Sequence, residues 1–196
     1  MIDAFNAVPG YDTFHQHLLS YLNANRWNPT EKLLVSWPGN KYVYAMDNHS
    51  WGYCAFEDFP GSVLQKADMY ITTQTATATG KSITGYCFDI DKDDIWLEGT
   101  GEMVVAFQKA GQNNQADFYL SEMEKLIVES AKFPGYRGIP YVSNRGTGYA
   151  IDALWAGSDT KPCISSGAWY LFGVLHFDPF AIGYSKNIPS SDKFWK

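Results

Sequence analysis

Along most of this chain the apolar positions recur with a helical period rather than a strand period. From Asp12 to Asn25, Phe14, Leu18, Tyr21 and Leu22 fall on one face after the Pro9-Gly10 turn, which predicts an amphipathic helix capped by Asp12 or Thr13. Arg26 to Tyr44 is broken by Pro29, Pro38 and Gly39 and reads as a long loop with at most short strand pieces. Asp47 to Phe56, DNHSWGYCAF, is small and apolar with few charges, the pattern of a short helix buried on most sides with Asp47 or Asn48 as cap. Ser62 to about Thr75 keeps Val63, Leu64, Ala67 and Ile71 on one stripe and is expected to be an outer helix. The pair repeats. Trp96 to Phe107 is a buried helix, Asn114 to Ala131 an amphipathic outer one, and Gly111 the turn between them. Ser165 to about His176 is a third buried helix, after a Gly/Pro-rich loop from Phe133 to Pro162, and a polar tail closes the chain.

Buried and amphipathic helices in alternation, joined as antiparallel hairpins, predict one all-α domain over residues 1–196. Inner helices would line an axis and outer helices shield them, as helical hairpins arranged in an (α/α) toroid or part-toroid. Only about three inner helices can be counted, fewer than a closed ring uses, so the open ends would expose apolar edges. A second copy of the chain, or a missing half of the toroid, would cover them.

Four segments carry a family resemblance: DDIWLEGTGEMVVAFQKAG, DNHSWGYCAF, NRGTGYAIDALW and SSGAWYLFGVLHFDPF. Together they resemble the C-terminal half of bacterial six-hairpin, (α/α)6-toroid carbohydrate-active proteins. The resemblance spans Asp47 to Phe180, and WLEGT is its most specific piece. It implies sugar chemistry, with a glycoside hydrolase-like activity on an oligo- or polysaccharide first. A sugar lyase or epimerase, and a non-catalytic sugar-binding or subunit-association module, are the alternatives on such a fold.

Composition narrows the partners. With 45% hydrophobic and 18% charged residues the chain is globular rather than disordered. A net charge of -6 without a Lys/Arg cluster argues against a grip on nucleic acid phosphates or anionic lipid. The 7 Trp, 13 Tyr and 12 Phe exceed what one core absorbs, and a surplus of aromatic faces suits sugar ligands. Cys54, Cys87 and Cys163 show no metal-binding spacing and read as buried thiols. No apolar run reaches the roughly 20 residues of a membrane span. MIDAFNAVPG lacks the basic and hydrophobic regions of a signal peptide, so the chain is expected to be soluble, with its compartment open between cytoplasm and an exported location.

The candidate chemistry starts at Glu98, in the first turn of a buried helix, where unpaired backbone N–H groups and the helix dipole favour a charged carboxylate. Asp47 heads another buried helix and would share a cleft with Glu98 if both helices run the same way. Hydrolysis of a glycosidic bond needs such a pair, one acid protonated and one charged. Glu98 is then the base or nucleophile and Asp47 the acid; the competing structural roles are orphan-amide partner for Glu98 and plain helix cap for Asp47. Trp96, His49, Tyr141, Asn144, Arg145 and Trp155 are the expected sugar-binding residues. Tyr149 belongs to the same loop, and His49 with His176 would be the acid/base pair of an epimerase. DIDKDD offers Asp89, Asp91 and Asp93 as calcium ligands, but an EF-hand wants Gly and Glu where Asp94 and Thr100 stand. A solvated turn capping the Trp96 helix is favoured there, and no cofactor is expected.

Overall fold

The computed structural model describes residues 8–36, 44–144, 160–181 and 189–196. The first helix, α1 (Asp12–Asn25), keeps the boundaries its apolar stripe predicts, although Tyr11 occupies the cap position and no side chain caps the helix. A two-residue ladder follows, β1 (Trp27–Asn28) against β2 (Leu33–Leu34). The short helix α2 (Asp47–Ala55) comes next, then α3 (Ser62–Lys66) and a 3-10 turn, Ala67–Tyr70.

Here the all-α expectation fails. The stretch expected to continue as an outer helix to Thr75 turns instead into a strand, β3 (Ile71–Thr75), which pairs antiparallel with β4 (Ser82–Tyr86) from Ile71↔Tyr86 to Thr75↔Ser82. The reason is local: ITTQTAT is a run of β-branched residues that lose rotamer freedom in a helix and fit a pleated surface. Gly80, at φ +67°, turns the chain back. A third small ladder, β5 (Val128–Glu129) with β6 (Arg137–Gly138), ends the expected long outer helix early, so that α5 covers Asn113–Glu124 only. Three antiparallel sheets among six α-helices make the described residues a mixed α/β fold, not an all-α toroid or part-toroid.

The centre of this fold is α4 (Leu97–Lys109), buried at every position from Leu97 to Phe107 except Glu98. It packs on α2, on α5 and on α6 (Ile164–Val174). Its small residues set the spacing. A Cβ at Gly101 would lie 2.7 Å from the Trp169 Cβ, and one at Gly99 would lie 2.2 Å from the Trp96 ring. From the α6 side, Gly173 leaves room for Val104 and Leu120. The hairpin β3–β4 lies against the same helix. Thr100 Oγ1 accepts the Tyr86 N–H at 3.1 Å and donates to the Trp96 carbonyl, while the Gly85 position leaves no space for a Cβ beside Ile95.

Contacts along the helices fix their direction. Ser50 of α2 donates to Glu102 of α4, the charge of Glu98 is felt at Asp47, and farther along Lys109 donates to the Cys54 carbonyl at 2.7 Å. On the other side Glu98 meets Ser165, Gly101 meets Trp169, and Gln108 donates to the Gly173 carbonyl. Thus α2, α4 and α6 run parallel, and their N-terminal turns converge. The chain end is not a detached polar tail: Trp195 is buried and its ring lies 4.8 Å from that of Phe56. Among the described residues no helix is long and apolar enough to cross a membrane.

Candidate active site: three carboxylates at converging helix ends

Asp47 is the first residue of α2, Glu98 the second of α4, and Ser165 the second of α6. Because the three helices are parallel, these positions meet at one end of the bundle. There the unpaired N–H groups of first turns present partial positive charge to whatever acids gather. The Asp47 carboxyl accepts hydrogen bonds from its own amide and that of Asn48. Glu98 accepts one from the Ser165 side chain. Both residues keep part of their surface in solvent.

A third acid lies beneath them. Glu102, one turn beyond Glu98 on the same face of α4, is 1% exposed. Its Oε2 accepts the Ser50 hydroxyl at 2.9 Å, and the Trp51 side chain also favours the charged form of the Glu102 carboxyl by hydrogen bonding. Its Oε1 is buried with no hydrogen-bond partner, as is the Oδ1 of Asp47. The same Ser50 hydroxyl lies 3.2 Å from the Asp47 carbonyl oxygen, so one O–H shared between the two acceptors links the two helices.

Desolvation dominates the electrostatics. Removal from water raises the Asp47 carboxyl to about 6, and the negative charge of Glu98 adds to the rise against the opposing backbone donors. Burial also raises Glu98, with the Ser165 hydrogen bond pulling the other way. Glu102 is pushed well above the usual carboxylate range, first by burial and then by the charge of Asp47. Three like charges cannot all be held here, so near neutral pH the cluster retains protons that an ordinary surface acid would have lost.

The other residues singled out from sequence are dispersed. Trp96 is buried in the core with Gly99 and Met46 beneath its ring, edge-on to Phe88 and Tyr141. His49 is fully buried: Nδ1 lies 2.7 Å from the Val63 carbonyl oxygen, and the ring stands edge-on to Tyr70. Burial lowers its pKa to about 4, which keeps it a neutral packing residue. His176 lies beyond the C-terminus of α6, beside Gln108 and Lys109, at the opposite end of the bundle from the acids. Tyr141 is half-buried, and its carbonyl accepts the Leu97 N–H at 3.0 Å. Asn144 fastens the strand hairpin by accepting from Thr77 and donating to Gln74. Arg145, Tyr149 and Trp155 lie outside the described residues.

Two features missed from sequence were signalled by spacing. Glu98 and Glu102 stand four apart, and Asp47 and Ser50 three apart, so each pair shares a helix face. The DIDKDD turn also differs from the solvated cap expected. Asp89 and Asp94 are buried, which raises both to about 7, and Trp96 rather than an Asp occupies the cap position of α4. An apolar groove lined by Leu18, Tyr21, Leu34, Asn48, Phe56 and Phe180 runs beside α2, and none of the three acids lines it.

Comparison of the chain with protein-family models, with curated proteins and with solved structures finds no match.

Proposed function

We propose that this chain is a carbohydrate-active enzyme of glycoside hydrolase type, in which Asp47 and Glu98 are the working carboxylates. The observation that carries the reading is their convergence. Two part-exposed acids from first turns of parallel helices stand over a third, buried acid, and environment pulls their proton affinities above those of surface carboxylates.

In this reading Asp47, held at about 6, carries the proton that assists departure of the glycosidic oxygen. Glu98, whose charged form is favoured by the Ser165 hydroxyl and by the helix end, activates water or attacks the anomeric carbon. Glu102 lies too deep to reach a substrate; burial, and the charge of Asp47 when that acid ionises, hold its own proton on. Trp51, about half exposed while its side chain favours the charged form of Glu102 by hydrogen bonding, supplies an aromatic face beside the acids on which a sugar ring can stack.

The test is hydrolysis of a panel of oligo- and polysaccharides at pH 5 to 7 by the wild type, Glu98→Gln and Asp47→Asn. Each substitution is expected to lower the rate by about 10²–10⁴-fold, the usual contribution of a positioned acid or base. Full activity in Glu98→Gln would end the assignment. Binding of a glycan that is left intact by the wild type would replace it with a sugar-binding module.

A further inference from the structure

The turn between β4 and α4 gathers a second, independent set of groups. Cys87 is buried, and its Sγ lies 3.9 Å from Asp91 Oδ1 and 3.8 Å from Asp93 Oδ1. The three donor atoms all lie within 4.8 Å of one another. The Asp89 carboxyl rests against that of Asp91, with Oδ1 accepting the Asp91 N–H at 3.1 Å. Its Oδ2 points to no donor although the residue is only 3% exposed. A carboxylate oxygen sealed from water without a partner costs free energy that a cation beside it would recover.

From this arrangement we infer a divalent-cation site formed by Cys87, Asp91 and Asp93, with Asp89 packed against Asp91 beside the three donors, and zinc as the ion it takes. The donor set selects the metal. Calcium and magnesium are hard ions that take oxygen ligands, and a buried sulfur at the centre of the turn gives them nothing. Zinc binds thiolate and carboxylate together, at about 2.3 Å to sulfur and 2.0–2.2 Å to oxygen. Tetrahedral placement at those lengths puts sulfur and oxygen about 3.6 Å apart, a few tenths of an ångström inside the separations found here. The sulfur–oxygen pairs need only draw in slightly, and the two carboxylate oxygens, which lie within 4.8 Å of each other, close on the same ion.

The surroundings hold the turn for this role. The Cys87 N–H donates to the Tyr70 carbonyl at 2.9 Å, and the Trp96 N–H to that of Tyr86 at 2.8 Å. Gln74 donates to the Lys92 carbonyl at 3.0 Å from the neighbouring strand. Asp91 is exposed and Asp93 half-buried, so one side of the site opens to solvent for entry of the ion. Binding replaces the Cys87 S–H bond with a sulfur–zinc bond and releases the thiol proton to the buffer. The ion joins the end of β4 to the segment leading into α4, and therefore fixes where that helix begins.

The experiment uses the full chain under a reductant, stripped with a chelator and dialysed. Titration with zinc, followed by calorimetry and by the thermal midpoint, should show one ion per chain and a rise in midpoint. Cobalt(II) in the same site should give a thiolate-to-metal charge-transfer band. That band should persist in Cys163→Ser and vanish in Cys87→Ser. Asp93→Asn, at the half-exposed edge where folding is least at risk, should weaken zinc about tenfold or more while the far-UV circular dichroism stays that of the wild type. Absence of stoichiometric zinc binding by the stripped wild type would overturn the site. So would a charge-transfer band unchanged in Cys87→Ser, or binding of calcium in preference to zinc.

Discussion

Replacing Asp47 with Asn should make the protein more stable at neutral pH while disabling the proposed chemistry. In the folded chain the Asp47 carboxyl is raised from 3.8 to about 6, chiefly by desolvation. A raised carboxyl pKa means that folding favours the protonated form. Relative to a protein with an ordinary acid there, the benefit is complete below about pH 4 and is lost as pH rises through about 6. That rise corresponds to about 3 kcal/mol. Part of the residue reaches solvent although Oδ1 does not, which favours a value nearer about 2 kcal/mol. Asn keeps an oxygen to accept the backbone N–H groups at the start of α2, and carries no charge at any pH.

Urea unfolding of both proteins, repeated from pH 4 to pH 8, gives the quantity needed as a difference. Asp47→Asn minus wild type should rise by about 2–3 kcal/mol across that range, with most of the change between pH 4 and pH 7. Taking the difference removes His49, whose lowered pKa of about 4 acts with the opposite sign by costing stability as pH falls from 6.5. The residual effect of Asp47 on Glu102 has the same sign as the main one, because removing the Asp47 charge eases the deprotonation of Glu102. A difference curve that stays flat with pH would refute the desolvated-acid account of this cluster.

Two further predictions concern the frame around the acids. Gly101→Ala should destabilise by about 1–2 kcal/mol in urea unfolding: its Cβ would meet the Trp169 Cβ at 2.7 Å and the Trp169 backbone at 3.2 Å, and overpacking of this kind outweighs the gain in helix propensity. A wild-type unfolding curve for that variant would mean that α4 and α6 are not held at this spacing. Trp195→Ala should cost about 3–5 kcal/mol, as expected of a large buried aromatic, since the ring packs on Phe56, Phe59 and Phe194. Loss of less than about 1 kcal/mol in thermal or urea unfolding would show that the chain end contributes little to the core.

Helices α1, α2, α4 and α6 were legible because each has a periodic apolar face or an uninterrupted small-apolar run, and those signals are local. The strand hairpin was not. The stripe of Val63, Leu64, Ala67 and Ile71 fits a helix until the β-branched run begins, and pairing with a strand about ten residues later decides the outcome. Trp195 shows the same limit at the chain end, where a polar segment hides one large aromatic that only long-range packing can claim.

For the candidate site, the sequence by itself determined that Asp47 and Glu98 stand in the first turns of buried helices, because burial patterns are written within a few residues, although the cap of α2 falls on Met46 and not on Asp47 or Asn48. Only the tertiary structure decided that those helices run parallel, that Glu102 and Ser165 join the cluster, and that Trp96 and His49 turn into the core instead. It also decided that the DIDKDD turn folds around a buried Cys87 rather than lying open to water. The division has one physical cause. Periodicity reports which side of a helix is dry, whereas the charge a buried acid carries depends on which other groups are packed beside it.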